Sequence, residues 1–482
     1  MTARTRTIWT FAITAAAVFM ATLDNLVVTT ALPVIRKDLH ATVESLEWTV
    51  NAYTLTFAVL LLTGAALGDR FGRRRMLAVG LGIFTLSSAA AALAPTAGAL
   101  IAARAAQGVG GAIVTPLTLT ILSAGVPANR RGAFIGAWSG IAGLAVAFGP
   151  LVGGAVVSGI SWHWIFWLNV PIGIGLIPLA LTRLQETYGP SSKLDLPGLG
   201  LASGGLLGIV WGLVRGNGQG WASTEIVTAL TAGSVVLALF ILWELRAEAP
   251  MLPMRFFQNR VFALANVASL LMFFGMFGSI FLLSQFFQIV QGYSPLGSGL
   301  RILPWTIMPM FVAPIAGALS DRVGGARLMG IGLVLQASGL ASIAAVSTPT
   351  TPYWQLVAPF MVSGIGMAMF WAPVANVVLA AVKPEEEGQA SGAQNAIREL
   401  GGVFGVAVLA SVFSAYGGYR TSDTFVNGMN AAVWIGAGVV ALGAVAAFAI
   451  GKSRVRVAER TVHAEPLTPA LENSPATRAE AA

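Results

Sequence analysis

Cysteine is absent from the 482-residue chain, and charged residues are scarce. Without cysteine there is no disulfide, thiol nucleophile or cysteine-based metal site. Only three histidines occur, at scattered positions, so the sequence predicts no metal site and no cofactor. Charged residues make up 10% of the chain and hydrophobic residues 56%, against roughly 25% and 45–50% in soluble domains. This composition excludes an ordinary cytosolic enzyme, a nucleic-acid-binding protein and a disordered chain.

The net charge of +8 has a different explanation from nucleic-acid binding. Lysine and arginine lie in short loops between apolar runs, where they contact anionic lipid headgroups and set the orientation of membrane helices. We therefore expect membrane lipids as partners and no nucleic acid.

The two ends of the chain differ in character. The first apolar run contains Asp24 and continues to Pro33 without a clear small-residue cleavage site, so we expect a membrane span and not a cleaved signal peptide. Residues 452–482 are polar and contain three prolines, which predicts a disordered cytoplasmic tail.

Long apolar runs account for most of the remaining chain. A bilayer core of about 30 Å needs about 20 apolar residues per helix. Runs of this length predict an all-α integral membrane protein with fourteen spans, at 8–31, 48–67, 76–94, 99–124, 133–157, 164–183, 197–215, 224–244, 261–290, 299–319, 327–346, 354–382, 389–414 and 430–451.

The distribution of positive charge predicts the orientation of these spans. With the N-terminus in the cytoplasm, 21 lysines and arginines fall on the inner side and 5 on the outer side. The excess on the inner side predicts that both termini are cytoplasmic. The two remaining cations, Arg104 and Arg398, fall inside spans.

A repeated motif indicates how the spans are organised. Asp69-Arg70-Phe71-Gly72 follows span 2, and Asp321-Arg322-Val323-Gly324 follows span 10, 252 residues later. This offset equals eight spans and not six, so the simplest arrangement is two six-helix halves, 1–183 and 261–451, with two extra spans inserted at 184–260. Repeated halves around a central site are typical of secondary transporters.

Five short motifs occur in a fixed order on the first six spans: Leu23-Asp24 with Ala31-Leu32-Pro33, Asp69 to Arg75, Arg104-Ala105-Ala106-Gln107-Gly108, Gly149-Pro150-Leu151-Val152-Gly153-Gly154, and Ser161 to Gly173. Together they resemble the fourteen-span drug:proton antiporters of the major facilitator superfamily, from about Thr7 to Ile450. The resemblance implies the major facilitator fold, no catalytic residues, the proton gradient as energy source, a lipophilic small molecule and protons as partners, a monomer, and a place in a bacterial cytoplasmic membrane.

Three charged residues inside spans are candidates for proton coupling. A carboxylate as deep as Asp24 is costly unless it faces a cavity or takes a proton. The resemblance implies that Arg104 assists proton transfer, and Glu399 in span 13 is a second candidate for proton or cation binding. The alternatives are structural: a hydrogen-bonded carboxyl between helices for Asp24, a backbone-bonded hub for Arg104 and a structural pair for Glu399. Because adjacent residues do not share a helix face, we expect Arg398 and Glu399 to have separate partners.

The resemblance also implies a cytoplasmic gate and an antiporter motif. The gate residues are Asp69, Arg70, Gly72, Arg73, Asp321 and Arg322. Asp69 is expected to face the start of span 13, whose Glu385 to Glu387 could pair with Arg73 to Arg75. The alternative is that the basic loop serves only as an orientation signal. The antiporter motif is Gly149, Pro150, Gly153 and Gly154, with Ala145 in place of a family glycine, and its alternative role is a kinked, tightly packed helix.

The substrate cavity is the least determined feature. Polar residues inside spans are candidates for its lining: Asn51, Tyr53, Gln107, Gln285, Asn376 and Arg398. A mostly apolar cavity predicts bulky, lipophilic substrates that are neutral or carry one positive charge, such as drugs or antibiotics. The alternatives are export of an endogenous metabolite or lipid, substrate:proton symport, a channel and an intramembrane enzyme; no nucleotide-binding or hydrolase motif supports the last of these.

Overall fold

The computed structural model describes residues 2–127, 130–189, 194–383 and 386–451, and the predicted tail lies outside this range. The described part is helical, without strands. Its helices are α1 (Ala3–Asp38), α2 (Val43–Phe71), α3 (Arg73–Ala92), α4 (Ala97–Gly125), α5 (Arg131–Gly159), α6 (Trp164–Trp167), α7 (Asn169–Arg183), α8 (Leu196–Gln219), α9 (Thr224–Glu244), α10 (Arg260–Gln285), α11 (Pro295–Thr306), α12 (Met308–Val323), α13 (Gly325–Val346), α14 (Trp354–Leu379), α15 (Glu387–Tyr416) and α16 (Ser422–Ala449).

The described residues form fourteen segments that are long and apolar enough to cross a membrane, as the sequence predicts. Two predicted spans consist of two α-helices each, and span 9 continues from α10 into a π-helix at Phe286–Val290. Span 6 combines α6 and α7, and span 10 combines α11 and α12, which meet beside Ile307 between Pro304 and Pro309. Proline removes a backbone donor and interrupts the hydrogen-bond ladder, which accounts for the break in span 10.

Short polar residues determine where several spans begin. The side chains of Thr42, Thr96, Ser223 and Ser294 each accept a hydrogen bond from a backbone N–H in the first turn of α2, α4, α9 and α11. These caps satisfy a backbone donor that has no partner inside the helix. Each cap therefore fixes the residue at which its helix begins.

The helices pack in two groups with a pair between them. In the first group α1 packs on α5, α4 packs on α2 and α3, and α3 packs on α7. In the second, α10 packs on α15 and α16, and α13 packs on α14 and α16. Helices α8 and α9 pack on each other, and α8 contacts both α2 and α15. The inserted pair thus lies on the seam between the two groups, hereafter the N half (α1–α7) and the C half (α10–α16).

The two copies of the repeated motif have the same backbone conformation. Helix α2 ends at Gly72, with φ 101° and ψ 124°, and α12 ends at Gly324, with φ 97° and ψ 128°. A positive φ is readily adopted only by glycine. Each glycine lets one helix stop and the next begin within one residue. The end of the bundle that holds both motif copies is called the gate-motif end. The opposite end holds the α1–α2 loop, residues 39–42, and is called the first-loop end.

Candidate transport site

Asp24 lies in the interior of the N half. Its side chain is buried, with 1% of the residue exposed. Arg104 Nη1 of α4 donates a hydrogen bond to Asp24 Oδ2 at 2.5 Å, which makes this a buried ion pair. Gln107 Nε2 and Asn169 Nδ2 both donate to Asp24 Oδ1, at 2.9 and 2.7 Å. Three donors from α4 and α7 therefore hold one carboxylate of α1 in place.

Arg104 has partners on two of its three guanidinium nitrogens, and its Nη2 is buried without a hydrogen-bond partner among the described protein atoms. Its Nη1 also donates to Gln107 Oε1 at 2.8 Å, and its Nε donates to the Thr49 carbonyl oxygen at 3.2 Å. The guanidinium carbon lies 4.2 Å from the centre of the Tyr53 ring, a cation–π contact. Gln107 Nε2 donates to Ser88 Oγ as well, at 2.8 Å. The network joins α1, α2, α3, α4 and α7 through one buried charge pair.

A cavity lies between the two halves, beside this network. Tyr53 belongs to both the Asp24–Arg104 network and the cavity lining, because it contacts Arg104 and lines the cavity. The cavity contains about 710 Å³ of space between atoms, open solvent at its mouth included. Its lining from the N half is Ala21, Thr22, Asn25, Leu26, Tyr53, Phe57, Thr115 and Val146, and from the C half Phe273, Met276, Phe277, Ile280, Thr306, Met367, Trp371, Arg398 and Glu399.

Arg398 and Glu399 both line this cavity and contact each other. Arg398 Nη2 donates to Glu399 Oε1 at 3.1 Å, and the guanidinium carbon lies 5.0 Å from the centre of the Phe273 ring. The expectation of separate partners is therefore wrong. The side chains leave α15 in different directions, but arginine is long enough to turn back to the neighbouring carboxylate.

The structure places the six predicted cavity residues in different surroundings. Tyr53 and Arg398 line the cavity. Gln107 belongs instead to the Asp24 network, Asn51 is buried outside this lining, and Gln285 accepts a hydrogen bond from the Tyr419 hydroxyl at 2.6 Å. Asn376 is exposed on α14. Sequence position shows that a polar residue lies in a span, but the face it occupies depends on packing that the sequence does not reveal.

The gate motif has partners other than those expected. Arg73 Nη2 at the start of α3 pairs with Asp69 Oδ1 in the last turn of α2 at 2.7 Å, across the junction at Gly72. Glu186 of the linker after α7 pairs with Arg74 at 3.5 Å and Arg75 at 3.7 Å, and it accepts from the Arg74 backbone N–H at 2.9 Å. Glu186 therefore pairs with Arg74 and Arg75, the contact that was expected of the acids at the start of α15.

The three acids at the start of α15 make none of the expected contacts with Arg73 to Arg75 among the described residues, and Glu387 is exposed in the first turn of α15. Glu386 pairs with Arg255 at 2.8 Å, and Glu385 is outside the described part of the chain. In the second motif copy, Asp321 and Arg322 occupy the last turn of α12, and the Asp321 side chain is not among those described. Arg70 lies in the last turn of α2, with its guanidinium carbon 5.3 Å from the centre of the Phe71 ring.

The glycines of the antiporter motif let α5 approach two helices closely. A Cβ atom at Gly149 would lie 2.6 Å from Leu26 Cβ, and one at Gly153 would lie 2.6 Å from the Val27 carbonyl oxygen, both on α1. One at Gly154 would collide with the backbone of Pro295 and Leu296 in α11. The carbonyl of Pro150 faces Gly299 of α11 in the same way. Helix α5 thus joins the N half to the C half through backbone contact.

Hydrogen bonds at the first-loop end also join the two halves. Ser284 Oγ and Gln288 Nε2 donate to the carbonyl oxygens of Thr29 and Thr30, each at 2.9 Å. Arg36 lies 3.7 Å from the centre of the Tyr419 ring. Burial raises the pKa of Tyr419, so its hydroxyl remains a donor at neutral pH. The halves are therefore closed against each other at this end of the bundle.

Replacing Gly154 with valine is expected to open this closure. A side chain there must displace the backbone of α11, and overpacking of this kind costs about 1–3 kcal/mol. The measurement is the disulfide yield between Ser158→Cys and Leu296→Cys in this cysteine-free chain, because the Leu296 N–H donates to Ser158 Oγ at 3.0 Å. The yield should fall with Gly154→Val and stay unchanged with Gly159→Val, which meets no atom within 4 Å. Equal yields in both variants would contradict the packing role of Gly154.

Three residues of the site carried no sequence signal that assigned them. Ser88 and Asn169 complete the Asp24 network, and Glu186 neutralises the gate-motif arginines. Ser88 and Asn169 are polar residues within apolar spans, and Asn169 also lies in the Ser161 to Gly173 motif, but neither signal pointed to Asp24 as their partner. Glu186 lies in a polar linker, where nothing distinguishes it from a solvent-exposed acid.

In the described part of the chain, fourteen apolar helical segments and two packed halves with a cavity between them are the features of a multi-pass membrane transporter. A profile described as Major Facilitator Superfamily matches residues 14–406 and 267–478. The chain belongs to this superfamily.

Its relatives include named resistance proteins. It is 32% identical over 417 residues to the "Tetracenomycin C resistance and export protein" of Streptomyces glaucescens, covering 85% of this chain and 76% of the relative. It is 32% identical over 477 residues to the "Puromycin resistance protein pur8" of Streptomyces alboniger, covering 96% and 94%.

A solved structure supports the fold. The crystal structure of the peptide transporter POT in complex with sulfate superposes with a TM-score of 0.68 at 14% identity, covering 92% of this chain and 94% of that one. This likeness concerns the fold alone.

Proposed function

We propose that this transporter is a proton-coupled antiporter that exports lipophilic drugs or antibiotics across the bacterial cytoplasmic membrane by alternating access. The observation that carries the proposal is the buried Asp24–Arg104 pair beside the cavity. A carboxylate buried at mid-span can take up and release a proton as the site changes its exposure. The names of the relatives support drugs or antibiotics as the substrate class.

Coupling follows from the contacts of Asp24. A proton on Asp24 removes its negative charge and weakens the 2.5 Å contact with Arg104. Arg104 then has only neutral partners, the Gln107 amide oxygen, the Thr49 carbonyl oxygen and the Tyr53 ring. The change reaches the cavity because Tyr53 lines it. Substrate and proton thereby act on the same group of side chains, and each disfavours the state that the other stabilises.

Alternating access uses the two ends of the bundle. Closure at the first-loop end rests on the α5–α11 backbone contact and on hydrogen bonds from Ser284 and Gln288. At the gate-motif end Asp69 pairs with Arg73 within its own half. In the opposite state Asp69 turns to the start of α15 and the first-loop end opens. Asp69, Arg70, Gly72, Arg73, Asp321 and Arg322 form the gate in this mechanism.

The preferred substrate is neutral or monocationic. The two charge pairs near the cavity, Asp24–Arg104 and Glu399–Arg398, each sum to zero. A single positive charge can be balanced by one carboxylate when its arginine moves away, whereas a dication would need both pairs to open. Burial of apolar area supplies most of the affinity. Glu399 serves as a second proton or cation group.

The orientation in the membrane, the oligomeric state and the partners are proposed from the sequence. The 21-to-5 distribution of lysine and arginine supports cytoplasmic termini. The transporter acts as a monomer surrounded by lipid, uses the proton gradient without a cofactor and binds no nucleic acid. Export of an endogenous metabolite or lipid is the second candidate, and proton symport is the third; the resemblance of the α5 glycine motif to that of antiporters favours antiport.

Accumulation of fluorescent substrates in energised cells tests the proposal. Cells that express the chain should accumulate less of a lipophilic monocation than cells without it. Dissipating the proton gradient should remove this difference, because export is then no longer driven. A divalent analogue with the same aromatic body should show a much smaller difference. Lower accumulation after the gradient is dissipated would indicate proton-driven import and contradict the proposal.

A further inference from the structure

The inserted helices α8 and α9 lie across the seam between the two halves, and α8 packs on both α2 and α15. When the halves move apart at the first-loop end, α8 cannot keep its contacts with both of these helices. One apolar cluster joins the four helices: Leu55 and Val59 of α2, Ala202, Leu206, Val210 and Val214 of α8, Phe240 of α9, and Val403 and Ala407 of α15. This cluster does not distinguish the two halves, whereas the polar contacts of the inserted helices do.

Near the first-loop end α8 is held to the C half by Asn217. Its Nδ2 donates to both the carbonyl oxygen and Oγ of Ser411 in α15, the latter at 3.0 Å, and Ser411 is buried. Trp221 Nε1 donates to Asn217 Oδ1 at 2.8 Å, and a Cβ atom at Gly216 would lie 2.7 Å from the Trp221 ring. Both ends of the Asn217 amide are therefore engaged, and separation from α15 would break its hydrogen bonds to Ser411.

A second contact holds the inserted helices to the C half at the gate-motif end. Arg255, in the segment between α9 and α10, directs Nη2 at Glu386 Oε1, 2.8 Å away. Glu386 is the residue immediately before α15. Helix α15 is thus bound near both of its ends by residues of the inserted pair or of the segment that follows it.

The polar contacts with the N half are weaker. Arg215 Nε of α8 lies 3.6 Å from Glu44 Oε1 of α2, and the two side chains are 24% and 40% exposed. Exposed ion pairs of this kind contribute little to stability. Arg215 Nε also lies 3.2 Å from Glu225 Oε1 of α9, so it retains a partner when Glu44 moves away. At the other end Thr63 Oγ1 of α2 donates to the sulfur of Met251 at 3.6 Å, and a thioether is a weak acceptor.

We propose that α8 and α9 move with the C half as one rigid unit, and that α8 separates from α2 when the first-loop end opens. The contact between Arg215 and Glu44 breaks in this step, and the contact between Asn217 and Ser411 persists. The inference rests on the alternating access of the proposed function. It assigns the inserted helices to one moving body, which a mechanism with two six-helix halves leaves open.

Two cysteine pairs in this cysteine-free chain test the assignment. One pair is Asn217→Cys with Ser411→Cys, which joins α8 to α15, and the other is Glu44→Cys with Arg215→Cys, which joins α8 to α2. The same reversible reagent, 1,3-propanediyl bismethanethiosulfonate, links either pair, and drug uptake into energised inverted vesicles is measured before linking, after linking and after reduction. Linking α8 to α15 should leave uptake unchanged. Linking α8 to α2 should reduce uptake to background, and reduction should restore it.

The yield of linking supplies a measurement that does not depend on transport. Gly154→Val, which is expected to open the first-loop end, is added to each cysteine pair, with Gly159→Val as the matched control. The yield for Glu44→Cys with Arg215→Cys should fall several-fold with Gly154→Val, because α2 moves away from α8. The yield for Asn217→Cys with Ser411→Cys should stay the same. Gly159→Val should alter neither yield.

The outcomes separate this inference from the proposed function. Unchanged uptake after α8 is linked to α2, or loss of uptake after α8 is linked to α15, overturns the inference. An equal effect of Gly154→Val on both yields, including no effect on either, also contradicts it. If both measurements give the expected contrast but uptake by the unlinked variants does not respond to the proton gradient, the inserted helices belong to the C half and the proposal of proton coupling fails.

Discussion

Replacing Asp24 with asparagine is expected to reduce proton-driven drug transport to the background of membranes that lack the protein. Asparagine keeps the shape of the side chain and can still accept from Gln107 or Asn169. It cannot take up or release a proton, and it gives Arg104 no negative partner. The measurement is drug uptake into inverted membrane vesicles after energisation, normalised to the amount of inserted protein.

Glu244→Gln is the matched control for this substitution. Glu244 is also a buried carboxylate, but it lies at the end of α9 and accepts from the Leu252 backbone N–H at 2.9 Å, away from the cavity lining. Its substitution should leave most of the transport rate in place. Transport at the unsubstituted rate by correctly inserted Asp24→Asn protein would remove Asp24 from the mechanism.

Replacing Arg104 with methionine is expected to destabilise the protein strongly. Asp24 would remain buried without its cation, and breaking a buried ion pair from one side typically costs about 3–5 kcal/mol. The thermal midpoint in detergent should therefore fall and the yield of folded protein should decrease. Arg398→Met should have a smaller effect, because the Arg398 side chain is 25% exposed whereas that of Arg104 is fully buried.

A second substitution separates the charge from the packing of the arginine. Adding Asp24→Asn to Arg104→Met removes the uncompensated carboxylate, so the double variant should regain most of the lost thermal stability. It should still lack proton-driven transport, because the titrating group is absent. If the double variant is as unstable as Arg104→Met alone, the arginine stabilises the fold by packing and its electrostatic role is contradicted.

The periodic and compositional parts of the structure were predictable from the sequence. Apolar runs of about twenty residues indicate spans because a helix of that length is needed to cross the hydrocarbon core of the bilayer. The two copies of the Asp-Arg motif predict equivalent helix ends, and both helices end at a glycine, Gly72 and Gly324. Asp24 and Arg104 were identified as deep charges, and the structure brings them together.

The sequence did not predict which polar side chains contact each other. Gln107 is one helical turn from Arg104, so both side chains reach the same carboxylate and Gln107 does not line the cavity. Asn169 reaches Asp24 only because α7 packs beside α3 and α1. The pairing of Glu186 with the gate-motif arginines depends on the path of a linker. Such contacts are set by the three-dimensional packing of helices and leave no periodic signal in the chain.

Proton movement driven by a substrate gradient tests proton-coupled antiport most directly. The purified protein is reconstituted into liposomes that contain a pH-sensitive dye, and a transported drug is supplied on one side without any imposed pH difference. Antiport predicts that drug moving into the liposomes drives protons out, so the interior becomes alkaline, and that Asp24→Asn abolishes this change. Proton movement in the same direction as the drug, or drug movement without any proton movement, would contradict the account.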